Sequence, residues 1–373
     1  MFDLIERPEI PDHLRQQCPD EAVLFFDAER LEATARRFRA GFPGLVTYAV
    51  KANPAPVVLD TLVRAGLRAF DVASPAEMAA VRAADPQAVL HYNNPVRSRG
   101  EVAQAAGYGI SSASVDDPGE LAKLAPLAGI EVSVRLALPV KGAAYDFGSK
   151  FGVGEVEAAE LLRRVARAGF RPAITFHPGT QCEDAAAWEA YIHASARVAR
   201  AAGVTLERLN VGGGFPSHRN GLSPDLEAIF DRIGRATRAA FGPAAPTLVC
   251  EPGRAMVADA FAIAARVKAV RRDGTVFLND GVYGGLSELR EIGPTDRLRV
   301  LRDGTEVTGP LRPRVLFGPT CDSVDRLPGE TPLPATIAEG DYLVFSGMGA
   351  YSLATGTRFN GYGLGDPVAV RGL

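Results

Sequence analysis

Eight short runs of β-branched and other apolar residues, each bounded by turn-forming residues, recur between residues 45 and 253. They are Leu45 to Ala52, Leu67 to Ser74, Ala88 to Asn94, Ile110 to Asp117, Ile130 to Leu138, Pro172 to Gly179, Leu206 to Gly213 and Thr247 to Gly253. Runs of this length and composition read as strands. Between them PAPVVLDTLVRAG, SPAEMAAVRAAD, DPGELAKLAPLAG, DAAAWEAYIHASARVARAAG and SPDLEAIFDRIGRATRAAFG space their apolar residues at the helical period. Several open with Ser or Asp before Pro and close on Gly, as helices do. Strands alternating with helices over this length fit a (β/α)8 barrel better than an open doubly wound sheet, the alternative that pattern alone leaves standing.

After about Ala260 the chain changes character. Gly, Pro and β-branched residues rise, long helical patterns stop, and the pairs Asp273-Gly274 and Asp303-Gly304 sit between apolar runs as hairpin turns do. This predicts a barrel over residues 26–260 followed by an all-β domain, sandwich- or barrel-like, over 261–373. Residues 1–25 precede the helical pattern ERLEATARRFRAGF and are expected to add a strand to the second domain.

The 373 residues carry 41 Lys and Arg against 44 Asp and Glu, mixed along the chain, for a net charge of −3. That balance gives no reason to expect nucleic acid or an anionic membrane as partner, so the expected ligand is small. Cys18, Cys182, Cys250 and Cys321 form no CxxC or CxxH pair, which argues against a structural zinc site or a disulfide framework and for a reducing compartment. The opening MFDLIERPEIPDH has acids and prolines where a signal peptide needs a basic end and an apolar core. The expected location is the cytoplasm, and no metal is expected.

Barrel enzymes collect their functional groups at the carboxyl ends of the strands. Those ends supply, in order, Lys51, Asp71, Asn93 with Asn94, Arg135, His177, the run Gly212-Gly213-Gly214, and Glu251 with Gly253 and Arg254. A lone strand-end His or Asp usually serves the fold, but this whole set at one end of eight strands reads as a site. In NVGGGFPS the glycines follow a strand and precede a helix, so bare backbone N–H groups can converge on an anion. Barrels bind phosphate at the loops after strands seven and eight, and Arg254 offers a fork that suits it. The run is neither GxGxxG nor a P-loop, which leaves a nucleotide little support. A phosphorylated cofactor beside a strand-end lysine points to pyridoxal 5′-phosphate. A deprotonated lysine forms a Schiff base with its aldehyde, Glu251 stands where a carboxylate can keep a proton on the pyridine nitrogen, and His177 can lie flat against the ring.

YAVKANP with FDVAS after it, FHPGTQC, NVGGGFP, EPGRAMVADA, NDGVYG, GPTCDSVD and MGAYSLATGTRFNGY resemble the fold-type III pyridoxal phosphate decarboxylases, most closely the ornithine decarboxylase branch. The likeness runs from about residue 20 to about residue 365 in unchanged order. It implies an alanine-racemase-like barrel followed by a C-terminal β domain. Carried over motif by motif, it implies that Lys51 links to the cofactor, that His177 stacks on the ring and that Glu251 meets the pyridine nitrogen. The Thr180 hydroxyl would serve where relatives usually carry serine, and Asp71 and Arg135 would lie around Lys51. Gly214, Pro252, Gly253, Arg254 and Tyr351 would complete the cofactor site, with Gly214, Gly253, Arg254 and Tyr351 around the phosphate. Cys321 and Asp322 would reach in from the other subunit, making the active unit a homodimer with two shared sites. Cys321 would protonate Cα after CO₂ leaves, and where that proton lands decides between an amine and an abortive transamination product.

The expected substrate contacts are Cys321, Asp322, Tyr283 and Glu291. The resemblance places Asp322 where other branches tend to carry glutamate, and a short carboxylate there suits the distal ammonium of ornithine. Many ornithine enzymes carry a second acid eight or nine residues after the NDGVYG motif, whereas GLSELREIGP places Glu288 and Glu291 nearby and Ile292 at the strict spacing. Either a glutamate takes over or the pocket accepts a different or longer amino acid. The expected reaction is decarboxylation of L-ornithine to putrescine in polyamine biosynthesis, with lysine, diaminopimelate or another diamino acid as alternatives. An alanine-racemase-type enzyme and a cofactor-less regulatory homologue are more distant readings; the homologue would be expected to lose the lysine or the phosphate ligands, and this chain keeps both.

Overall fold

The computed structural model describes residues 7–139 and 150–373, which divide into two units. One comprises Ala35–Pro216 and Pro224–Met256; the other comprises Met1–Thr34, Ser217–Ser223 and Val257–Leu373.

The first unit is a parallel barrel whose strands follow chain order around the ring. Its first strand is broken at Thr47 into Gly44–Val46 and Tyr48–Ala49, and the break closes the sheet. The first piece pairs with the eighth strand, Thr247–Cys250, and the second with the next strand, Ala69–Val72. Thr47 holds the junction, donating from both its backbone N–H and its hydroxyl to the Cys250 carbonyl, each at 2.9 Å. Val89–Tyr92, Ser112–Val115, Glu131–Arg135, Arg171–Thr175 and Arg208–Asn210 complete the ring. Closure leaves no unpaired edge. The eight apolar runs predicted as strands are these eight, and the open sheet is excluded by the pairing of first with last.

Helices return the chain between strands, and their start signals are local. Ser74 accepts from Glu77 N–H at the head of Pro75–Ala84, and Asp117 and Asp225 cap Pro118–Lys123 and Leu226–Phe241 in the same way. Each cap satisfies a backbone donor that the first helical turn leaves over. The strand pattern therefore alternates with helices, and every strand points its carboxyl end the same way.

The second unit is built on a mostly antiparallel sheet ordered Thr305–Glu306, Leu298–Arg302, Tyr342–Ser346, Phe261–Val270, Val23–Phe26 and Val368–Ala369. The N-terminal segment supplies Val23–Phe26, which pairs antiparallel with Phe261–Val270. Asp303-Gly304 forms a two-residue hairpin between Leu298–Arg302 and Thr305–Glu306, both residues with positive φ, as the turn type requires. A helix at Ile10–Gln17 lies outside the patterns read from the sequence. Pro11 reads as a breaker but falls in the first turn, where its missing N–H costs nothing, and Ile10 and Leu14 join a core of Phe25, Ala262, Val344 and Val370.

Candidate active site

Lys51 lies in the single 3₁₀ turn Val50–Ala52 that ends the first barrel strand, exposed at the carboxyl end of the ring. Its charge acts on Asp71, Glu77 and His177. Arg135 in turn feels Glu251 and Asp71 and acts on His177. Coulombic influence falls off with distance, so these groups lie near one another. The ends of strands one, two, five, six and eight thus bring Lys51, Asp71, Arg135, His177 and Glu251 into one cluster, as the strand-end reading expects.

The members of the cluster differ in protonation. Burial, then the Glu251 carboxylate, push Asp71 well above the usual carboxylate range, against the opposing pull of Lys51. Burial, then Lys51 and Arg135, hold His177 well below the usual imidazole range, so its ring is neutral. His177 Nδ1 accepts from the Gly179 N–H at 3.1 Å, which assigns the remaining ring proton to Nε2. The residue is a flat neutral ring of fixed tautomer.

Glu251 is held from two sides. Asn93 Nδ2 donates to its Oε1 at 2.6 Å, and Asn210 Nδ2 donates to the same oxygen. Oε2 receives neither amide. Asn210 is itself fixed, its Oδ1 accepting from Gly212 N–H at 2.9 Å, and Glu251 N–H donates to the Gly212 carbonyl at 2.9 Å. Asn93 was legible as a strand-end residue; Asn210 was missed although only Val211 separates it from the glycine run. Glu77 was missed as well, and its one signal is the spacing from Ser74 in SPAE after the second strand.

The glycine run lies against the end of strand six. At Gly212, with φ +69°, an added Cβ would stand 2.1 Å from the Phe176 carbonyl oxygen, and at Gly214, with φ +84°, 2.3 Å from that of Gly179. A side chain at either position is excluded both by conformation and by space. Thr180 is half-buried on the facing loop, next to Gln181 in the left-handed region at φ +50°. The Pro252 carbonyl accepts from Ala49 N–H at 3.2 Å, and Gly253 sets its backbone against Ala52, whose Cβ would be 3.1 Å from an added one. Arg254 opens the short helix Arg254–Val257.

Tyr351, Cys321, Asp322, Tyr283 and Glu291 belong to the other unit. Tyr351 has φ +65°, uncommon for a residue with a side chain. Tyr283 OH donates to Asp322 Oδ2 at 2.7 Å, Asp322 Oδ1 accepts from Val324 N–H at 2.9 Å, and Cys321 is exposed beside them. The first of these bonds, then the second, holds Asp322 below the usual carboxylate range, so it is anionic at neutral pH. Glu291 is exposed on the helix Ser287–Ile292. Glu288 on the same helix is buried and stands 3.6 Å from Arg219.

Residues 28–258 match the family described as pyridoxal-dependent decarboxylase, pyridoxal binding domain. The chain belongs to that family. It is 33% identical over 334 residues to a lysine/ornithine decarboxylase of Selenomonas ruminantium, covering 87% of this chain and 82% of that protein. The arginine decarboxylase of Paramecium bursaria Chlorella virus, solved with agmatine, superposes with a TM-score of 0.85 at 26% identity, covering 95% of this chain and 98% of that one. A lysine/ornithine decarboxylase from Vibrio vulnificus, solved with putrescine, gives 0.82 at 27% identity, covering 98% and 97%.

The barrel residues of this decarboxylase fit pyridoxal phosphate. At Gly212 and Gly214 bare backbone packs where no Cβ fits, Lys51 is an exposed amine at the same barrel end, and Glu251 presents a carboxylate whose Oε1 is taken by the Asn93 and Asn210 amides. Backbone amides, an amine and a carboxylate are the kinds of group that a phosphate, an aldehyde and a pyridine nitrogen take.

Proposed function

We propose that this decarboxylase removes the α-carboxylate of a basic L-amino acid, ornithine first, to give a diamine such as putrescine. The observation that carries the reading is the Glu251 carboxylate, held by Asn93 and Asn210 in a cluster with Lys51. Glu251 would meet the ring nitrogen of the cofactor, which when bound would supply an electron sink for decarboxylation. Lys51 would provide the amine that tethers the cofactor. His177, neutral and flat, would cover one face of the cofactor ring without adding charge. Arg135, Asp71 and Thr180 position the cofactor's polar edge, and Gly214, Pro252, Gly253, Arg254 and Tyr351 complete its binding site.

Asp322 supplies the anion for a distal ammonium, and names of the relatives agree in kind: lysine, ornithine and arginine are all basic amino acids. Cys321 supplies the proton that replaces the lost carboxylate. Both lie on an exposed loop of the β unit, consistent with their completing the site of a second copy, so the active form is read as a homodimer in the cytoplasm. The barrel of residues 26–260 is read as the cofactor domain, and 1–25 with 261–373 as the partner-facing domain. Lysine is the second reading, and a specific observation favours keeping it: Glu288 is turned inward to Arg219 and leaves Glu291 as the exposed acid of that helix.

The test is incubation of the protein with pyridoxal phosphate and a panel of L- and D-ornithine, lysine, arginine, diaminobutyrate and meso-diaminopimelate, with CO₂ and amine products identified. CO₂ release from ornithine above all others supports the first reading. Epimerisation without CO₂ release rejects decarboxylation.

A further inference from the structure

Three loops of the β unit meet at Cys321. The NDGVYG loop contributes Tyr283, whose hydroxyl holds Asp322 at 2.7 Å and whose carbonyl accepts from Thr357 N–H at 2.7 Å and from its hydroxyl at 2.9 Å. Tyr283 also packs its ring on Phe359, centroids 5.1 Å apart. Downstream of the cysteine, the buried Asp325 carboxylate accepts from Val282 N–H at 2.9 Å and from the N–H of Thr320, just upstream of it, at 3.0 Å. Residues on either side of Cys321 are thus fixed by one loop. Cys321 itself is held by the third: its backbone N–H donates to Asn360 Oδ1 at 3.1 Å, and among the described residues this is its one hydrogen bond.

Asn360 has φ +54° and ψ +18°, the left-handed conformation, inside the turn Phe359–Gly361. Among residues with a side chain, Asn tolerates that conformation best, and it is one of few that also reach a neighbouring N–H from there. Backbone conformation and amide acceptor therefore coincide in one residue, aimed at the residue that carries the thiol.

We propose that Asn360 is a positioning residue for Cys321, setting the thiol so that its proton goes to the substrate carbon. The inference rests on the reading of Cys321 as proton donor. In the productive step the Sγ–H bond breaks and a Cα–H bond forms; the thiolate regains its proton from solvent, and the amine leaves with its nitrogen. When the thiol is misplaced, a solvent proton goes to the cofactor's aldehyde carbon instead. The nitrogen then stays on the cofactor as pyridoxamine phosphate, and water supplies the oxygen of the released aldehyde.

The test compares wild type with Asn360→Gly, Asn360→Asp and Cys321→Ala, each loaded with cofactor and confirmed folded by thermal melting. Gly keeps the left-handed backbone and lacks the acceptor; Asp keeps both. The expected result is that Asn360→Gly raises the pyridoxamine phosphate formed per amine by about tenfold, the factor lost with one net hydrogen bond, while KM changes by less than about twofold. Asn360→Asp stays near wild type. In cofactor-free protein, amide hydrogen exchange at Cys321 is faster in Asn360→Gly and unchanged in Asn360→Asp. Faster exchange with an unchanged product ratio overturns the proposal, as does an Asp variant that behaves like Gly. A Cys321→Ala protein with a wild-type product ratio instead removes the proton-donor reading itself.

Discussion

Asn93 Nδ2 donates to Glu251 Oε1 at 2.6 Å, across the barrel mouth from the third strand end to the eighth. The bond spans 158 positions of sequence and orients a carboxylate that acts on Asp71 and Arg135. Charge-assisted bonds of this kind are each worth roughly 1.5–3 kcal/mol. Replacing Asn93 by Ala is expected to lower kcat by about tenfold to a hundredfold, and Glu251→Gln, which removes the anion, by about a hundredfold or more. Steady-state kinetics at saturating cofactor checks both. Equal, small losses would show that the carboxylate does not govern the ring.

Lys51 is expected to be the covalent attachment point. Borohydride reduction of the cofactor-loaded protein followed by peptide mapping should place the adduct on Lys51, with none in Lys51→Ala. That variant should lose about a thousandfold or more in kcat, since the nucleophile itself is gone.

At Gly214 an added methyl would stand 2.3 Å from the Gly179 carbonyl oxygen, at a φ of +84°. Gly214→Ala must shift the Pro178-Gly179 segment packed against the glycine run. Its cofactor dissociation constant is expected to rise by about tenfold to a hundredfold, read by fluorescence titration, alongside a stability loss of about 1–3 kcal/mol.

Burial raises Asp280 from 3.8 to about 7, with the nearby Asp325 carboxylate adding to the rise. The folded state therefore holds a proton that the unfolded chain releases. Stability from this group is complete below the unfolded value and is lost as pH rises through about 7, a loss of about 4 kcal/mol at most. Asp280→Asn keeps an acceptor for Gly285 N–H and has no proton to lose. Its urea midpoint should vary less between pH 5 and pH 8 than that of wild type; an identical slope would assign the dependence to other groups.

The proposed sharing of sites between two copies would make a mixing test quantitative. Lys51→Ala and Cys321→Ala copies, each inactive or misdirected alone, are expected to recover about a quarter of wild-type amine formation after dissociation and random reassociation. Half the dimers are then mixed, and each mixed dimer has one intact site of two. No recovery would place both residues in one subunit's own site.

Much of this protein could be read from local pattern. The eight strand runs, the capped helices between them and the Asp-Gly hairpins are set by periodicity and turn chemistry within a few residues, so Lys51, Asp71, Arg135, His177 and Glu251 could be assigned to one end of the barrel before any coordinates. Closure was different: that the strand broken at Thr47 pairs with both Thr247–Cys250 and Ala69–Val72 depends on partners far apart in sequence. The same holds for chemistry. Nothing around Asn210 announces that it shares Glu251 Oε1 with Asn93, nothing around Glu288 announces that it turns inward to Arg219, and nothing in FNGY announces a bond to Cys321. Residue types and spacing determine which groups the chain can present; which of them meet, and which proton each one keeps, depends on distance and desolvation, and only the folded chain sets those.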